Sequence, residues 1–163
     1  MPPRKLREPM RAYRIGDPQG RHPIYSGEGA ALVEGRWHEK GQEVIYASAH
    51  YATAMLEKLA HYNGIMPPSQ HFIEIEIPVG TSYEEVTKDI LPGWDLPDSP
   101  VARAHGSTWL SEQRSAILIV PSYVAREVFN ILINPHHPES AAIRVGREKP
   151  VRWDARLFDK PEL

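Results

Sequence analysis

The chain has 163 residues, 41% hydrophobic and 25% charged, with a formal charge of −2 and no cysteine. That is one domain's worth of ordinary globular composition, and it excludes disulfide frameworks, thiolate catalysis and cysteine-ligated zinc. No apolar run approaches the roughly 18 residues that a bilayer demands, and the near-neutral balance lacks the basic stripe of a nucleic-acid binder.

The N-terminal MPPRKLREPMRAYRIG offers no apolar stretch for the centre of a signal peptide, so the expected setting is the cytoplasm, away from membranes. Residues 1–9, with the basic cluster Arg4, Lys5 and Arg7, read as a solvated tail ahead of a domain over 10–163. Met10 to Ile15 reads as a first strand, and Gly16 to Gly29 as turn-rich chain. After Gly35-Arg36-Trp37 and a polar turn, Val44 to Ala47 reads as a buried strand. Ser48 then caps a helix to about Tyr62, with Tyr51, Met55, Leu56, Leu59 and Tyr62 as its apolar face and Gly64 as its stop.

His71 to Ile77 alternates strictly, with Ile73, Ile75 and Ile77 on one face and Glu74 and Glu76 on the other, as in a half-buried strand. Thr81 with Glu84 fits a capping box opening a short helix. Residues 91–100 form a loop, and Ser99-Pro100 starts a helix ending near Glu112. Ala116 to Val120 reads as an interior strand; Ile131 to Ile133 and Val151 to Trp153 add short ones. The sum is a single compact α+β domain of about six mixed or antiparallel strands and about three helices.

Common site motifs are missing. Gly27-Glu28-Gly29 lacks the third glycine and the strand–helix setting of a dinucleotide fingerprint. There is no phosphate-loop lysine motif, no HExxH and no GxSxG. His136 and His137 are adjacent, which on a strand sends them to opposite faces, so no metal site is expected.

Chemistry-bearing residues instead concentrate in the first third: Tyr13-Arg14 closing a strand, Arg36 before a turn, Tyr46 in an apolar strand, and Glu57 at the flank of a helix's buried stripe. By position alone Glu57 reads more simply as a solvated residue paired with Lys58 or His61. In order along the chain, Tyr13-Arg14, SGEGA (Ser26 to Ala30), GRW with Arg36, VIYAS with Tyr46 and MLEKLAHY with Glu57 closely resemble the RES domain, named for an arginine, a glutamate and a serine. LIVPS with Ser122, EVFNILINPHHPES and WDARLF resemble its C-terminal half, so the likeness spans about residues 10–160. One departure is His38, where the family commonly has asparagine; it concerns the turn after GRW.

The resemblance implies a fold like that of ADP-ribosyltransferases, in a toxin of a RES–Xre type bacterial toxin–antitoxin pair. It implies NAD⁺ as substrate, consumed by hydrolysis or phosphorolysis of the nicotinamide–ribose bond, with ADP-ribosylation of a protein as an alternative. It further implies an antitoxin partner with a helix-turn-helix DNA-binding domain, whose other end blocks the active site.

The residues suit that chemistry. Arg14 and Arg36 offer guanidiniums for a diphosphate, although either can equally tie strand ends together. Glu57 can face the oxocarbenium-like ribose as nicotinamide departs as a neutral base. Tyr46 can stack on the pyridinium or sit in the core, and Tyr25 and Trp37 are weaker candidates of the same kind. For the family serine, Ser122 at the end of its strand is preferred over Ser115 at its start, as a hydrogen-bond donor and not a nucleophile. Catalysis is thus expected from Glu57, Arg14 and Ser122, and NAD⁺ binding from Arg14, Arg36, Tyr46 and Tyr25. A non-catalytic α+β interaction module, with these residues structural, is the remaining alternative.

Overall fold

A computed structural model describes residues 3–158; the last five residues of the expected domain lie outside them. The sheet is built from β1 (Arg4–Lys5), β2 (Met10–Gly16), β3 (Ile45–Ser48), β4 (His71–Ile77), β5 (Ser82–Glu85), β6 (Ile117–Pro121), β7 (Phe129–Ile133), β8 (Arg144–Val145) and β9 (Lys149–Pro150). Two helices, α1 (Tyr51–His61) and α2 (Pro100–Glu112), and short 3₁₀ turns at Ala30–Leu32, Pro138–Ala142 and Ala155–Leu157 complete the described elements. This is the α+β domain expected from the sequence. The strand order is β1-β5-β6-β7-β3-β2-β4-β8, with β9 also pairing β4. Only β5 and β6 run parallel; the other pairings are antiparallel.

Alternation sorts the side chains into two cores. Ile45 and Ala47 of β3, Ile117 and Ile119 of β6 and Ile131 and Ile133 of β7 join Ile73, Ile75 and Ile77 of β4 in one cluster. In a flat sheet β4 and β6 would stand about 19 Å apart, four strand spacings, so a shared cluster requires the sheet to curl around it. Leu118, Val120 and Leu132 point the other way and meet Trp109, Leu110 and Ala102 of α2, with Trp37 and Trp94. β6 is therefore buried on both faces, which explains its uninterrupted apolar run.

α2 begins where the sequence places it. Ser99 is the N-cap, its Oγ accepting from the Ala102 amide, and Pro100 fills the first turn. Midway along, Gly106 lies against the backbone of Trp37, where a Cβ would overlap the Trp37 carbonyl. That close approach fixes the GRW segment to the helix.

Five expectations need correction. The segment after Thr81 is a strand, not a helix: Thr81 Oγ1 donates to the Pro78 carbonyl, closing a turn with Gly80 at φ +88°, and β5 pairs with both β6 and β1. The Ser82 amide and hydroxyl both donate to Glu139, which anchors the strand. Tertiary pairing here outweighs a local cap. Residues 151–154 are irregular, and the neighbouring Lys149–Pro150 supplies the strand instead. Ser48 does not cap α1; it ends β3, and His50 takes the N-cap position. In α1 one residue of the expected apolar face turns outward, Leu56 at 44% exposure, while Tyr51, Met55, Leu59 and Tyr62 are part-buried and Thr53 and Ala54 are buried. In addition, the segment expected as a tail contributes β1, and Leu6 beyond it is buried in the isoleucine cluster.

Gly106→Ala is expected to destabilise the domain by at least about 3 kcal/mol, because a helix and a loop backbone must separate to admit the methyl group. Urea denaturation followed by circular dichroism measures it, and a cost under 1 kcal/mol would mean that the contact is loose.

Candidate active site

The ladder is nearly broken between β2 and β3. β2 pairs with β4 along its whole length and β3 with β7 along four positions, whereas β2 and β3 share only Tyr13 opposite Ser48. Arg14 bridges the gap: its Nε donates to the Ile24 carbonyl at 2.6 Å and an Nη to the Tyr46 carbonyl at 2.8 Å. Burial lowers the Arg14 pKa from its ordinary value, since no carboxylate pairs with the charge.

α1 packs against β2 and β3, and between them lies a cleft of about 220 Å³. The strands contribute Tyr13, Arg14, Ile15, Tyr46, Ala47 and Ser48, and β7 contributes Asn130. From α1 come Ala54, Glu57, Lys58 and His61. Those four are spaced i, i+3, i+4, i+7, which is one helix face, flanking the expected apolar stripe.

Glu57 is held from one side. Its Oε1 accepts from Ser122 Oγ at 2.8 Å and from Asn130 Nδ2 at 2.8 Å. Asn130 is itself oriented by Ser48, whose Oγ donates to Asn130 Oδ1 at 2.9 Å, and Ser122 Oγ accepts the Ala125 amide. Three segments distant in sequence thus fix a single carboxylate oxygen, leaving Oε2 without a described partner. Glu57 is the one acidic residue lining the cleft.

The wall behind Tyr46 is locked by a second network. His38 Nε2 faces the carbonyls of Ala30 and Val33 at 2.7 and 2.9 Å, so it carries the proton. Nδ1 then accepts from the Tyr46 hydroxyl at 2.6 Å, and the hydroxyl oxygen accepts the Trp37 amide at 3.3 Å. Burial raises the Tyr46 pKa well above the ordinary phenol value, the Trp37 amide pulling weakly the other way. Gly35 leaves room for this, because a Cβ there would stand 2.6 Å from His38 Cε1.

The RES domain family model matches residues 11–154. The chain belongs to the RES-domain family. It is 40% identical over 140 residues to the Prs ADP-ribosylating toxin of Sphingobium sp., covering 83% of this chain and 87% of that one. To Toxin Res of Pseudomonas putida it is 35% identical over 138 residues, 82% and 92% of the two chains. Among solved structures, the M. tuberculosis MbcT–MbcA toxin–antitoxin complex contains a chain that superposes with a TM-score of 0.71 at 14% identity, over 90% of this chain and 86% of that one. At that identity the likeness is one of fold.

Within this RES domain, Arg14, Tyr46 and Glu57 line one cleft, and Ser122 reaches it through its bond to Glu57. Arg36, expected to bind NAD⁺, is not among the lining residues. An Nη donates to the Trp94 and Leu96 carbonyls at 2.7 and 2.6 Å, the other Nη donates to Pro97, and the guanidinium lies 4.0 Å over the Tyr123 ring. Burial lowers the Arg36 pKa, while the charges of Tyr123 and Glu57 act to raise it. Tyr25 packs against the isoleucine cluster and is not among the lining residues, and Trp37 is a core side chain. The two serines separate clearly: Ser115 is buried behind α2, accepting from Trp109 Nε1 and donating to the Ile117 carbonyl.

Sequence reasoning missed Asn130 and Ser48 as the residues that steer Glu57. The signal for Asn130 was present as a lone amide inside the apolar run FNILI, because a polar side chain in a buried strand demands a partner. For Ser48 no local signal existed, since its hydroxyl serves equally well as a helix cap.

Tyr46→Phe removes the only described partner of His38 Nδ1 and the acceptor for the Trp37 amide. A loss of about 1–3 kcal/mol is expected, measured as a shift in the urea midpoint at unchanged slope; no shift would show that water replaces the phenol without cost.

Proposed function

We propose that this RES protein is the toxin of a bacterial toxin–antitoxin pair and that it cleaves the nicotinamide–ribose bond of NAD⁺ in the β2–β3 cleft. The observation that carries the reading is the carboxylate of Glu57, tethered through one oxygen by Ser122 and Asn130, with no described partner on the other, in the lining of a cleft that also holds Arg14. The Sphingobium relative's description as an ADP-ribosylating toxin supports the same choice of substrate.

In this mechanism Glu57 acts when the glycosidic bond lengthens. Positive charge develops at the ribose C1, and a fixed carboxylate stabilises it without reorganising. Nicotinamide leaves with the bonding pair as a neutral base, so no second acid is required. Ser122 and Asn130 orient the carboxylate, Ser122 serving as a hydrogen-bond donor to Glu57 and not as a nucleophile. Arg14 and Arg36 supply positive charge for the diphosphate, and Tyr46 forms the wall on which the nicotinamide ring rests. Tyr25 supports the loop that carries the Arg14-bonded Ile24 carbonyl.

The acceptor decides the product. Water gives hydrolysis, orthophosphate gives phosphorolysis, and a protein side chain gives ADP-ribosylation; the name of the Sphingobium relative favours the last as the second reading. The partner is an antitoxin that covers the cleft and bears a helix-turn-helix domain, in line with the toxin–antitoxin complex whose fold this chain shares. Operator binding then belongs to that complex, since a net charge of −2 does not favour broad affinity for nucleic acid. The reaction belongs to the cytoplasm, where NAD⁺ is abundant.

Purified protein incubated with NAD⁺, with and without phosphate, is expected to release nicotinamide, measured chromatographically. Glu57→Gln should lower the rate about 100-fold or more, and Ser122→Ala about tenfold, since Asn130 still holds the carboxylate. A fully active Glu57→Gln variant removes Glu57 from the mechanism; transfer of ADP-ribose to a protein without bulk NAD⁺ loss selects the second reading; absence of both leaves a non-catalytic module.

A further inference from the structure

The cleft contains a cation that the fold does not neutralise. Lys58 lines it next to Glu57 in sequence but about 100° around the helix, one turn from Ala54 on one side and near His61 on the other. Lys5 pairs with Glu139 and Lys88 with Glu127. Among the described residues no carboxylate, hydroxyl or carbonyl holds Lys58 Nζ. Burial lowers the Lys58 pKa, the like charge of Arg14 lowers it further, and Asp17 opposes them.

The arginines are differently placed. Arg14 has already given Nε and one Nη to main-chain carbonyls, and Arg36 bonds three carbonyls and stacks on Tyr123. Their guanidiniums are spent largely on holding the fold. The Lys58 ammonium retains three donors and sits beside a second buried positive charge. Against Arg14 and Lys58 the lining sets one carboxylate, Glu57, already bonded to two neighbours. A dianionic oxyanion entering here would relieve the repulsion between the two cations and restore the hydrogen bonds that Lys58 lost on leaving water.

We infer that Lys58, with the free edge of the Arg14 guanidinium, forms the phosphate-binding subsite of the cleft. The ligand class is a phosphate oxyanion, and the inference rests on the proposed NAD⁺ reading only for which phosphate it is. In one case it is the diphosphate of the dinucleotide. In the other it is orthophosphate acting as acceptor: a phosphate oxygen bonds to the ribose C1, the C1–N bond breaks with its electron pair going to nicotinamide, and the phosphate proton leaves to solvent.

Calorimetric titration of the full chain with inorganic pyrophosphate and with orthophosphate tests the subsite without turnover. Lys58→Met and Lys58→Gln are expected to weaken binding at least about tenfold, and Lys58→Arg to restore it to within about threefold. Lys58→Met keeps the length of the side chain and removes a desolvated charge, so its thermal midpoint is expected to equal or exceed that of the wild type. Kinetics then assign the source. A raised KM for NAD⁺ in phosphate-free buffer, outweighing any change in kcat, identifies the diphosphate; loss of phosphate stimulation at unchanged phosphate-free KM identifies orthophosphate. Wild-type affinity for both anions in Lys58→Met, or no affinity for either in the wild type, overturns the inference. If the wild type binds these anions through Lys58 yet releases no nicotinamide, the NAD⁺ reading falls and the subsite stands.

Discussion

The structure depends on one buried guanidinium. A β-sheet that parts between two strands exposes main-chain donors and acceptors that must be satisfied, and at the β2–β3 gap Arg14 does this from the strand edge, bonding the carbonyls of Ile24 and Tyr46. The arginine therefore replaces missing rungs of the ladder. Its bond to Tyr46 ties β2 to β3, and its bond to Ile24 ties in the loop that follows β2. A neutral donor of the same reach would close the same bonds, but would leave no charge facing the cleft. Carbonyl dipoles compensate only part of a full positive charge, and the remainder is available to a ligand.

Around that gap, rigidity is built from close packing and side-chain hydrogen bonds to the main chain. Gly106 lets α2 settle onto the Trp37 backbone, and His38 ties the Ala30 and Val33 carbonyls to the Tyr46 phenol. Arg36 draws the Trp94 to Pro97 loop onto the same side. On the opposite wall, Ser48, Asn130 and Ser122 form a chain of hydrogen bonds ending on Glu57 Oε1. The two networks meet only through β3, which carries Tyr46 and Ser48 on the same face. A carboxylate fixed this way loses little orientational freedom when charge develops opposite it, which is the condition for electrostatic preorganisation.

What could be read from the sequence follows how local each signal was. β4 was legible to the residue because its isoleucines alternate, and α2 because a serine cap and a proline open it. Ser82–Glu85 misled because a capping-box pattern is local, whereas its outcome was set by Glu139 and by parallel pairing with β6. The face of α1 was misread for a related reason. Apolar periodicity places a side chain inward only where the core lies beneath it, and part of α1 covers a cleft, so Leu56 turns outward while Glu57 and Lys58 line that cleft. The site residues came from an ordered resemblance across the chain. Their mutual contacts, Ser122 to Glu57 above all, span 65 positions and had no local trace.

The charge arrangement gives the cleft a direction. Glu57 is anchored on the side of β7 and the Ser122 turn, while Arg14 and Lys58 hold positive charge that no described carboxylate pairs with. A ligand that satisfies both ends must carry positive charge at one end and negative charge at the other. A pyridinium ribosyl group joined to a diphosphate has that polarity. When its glycosidic bond breaks, the positive charge moves from the pyridinium ring to the ribose carbon, which lies nearer the diphosphate. Under the proposed reading, Glu57 stabilises that charge as it develops. In that reading a carboxylate fixed before the reaction exerts its attraction chiefly on the transition state, where the ribosyl charge is greatest.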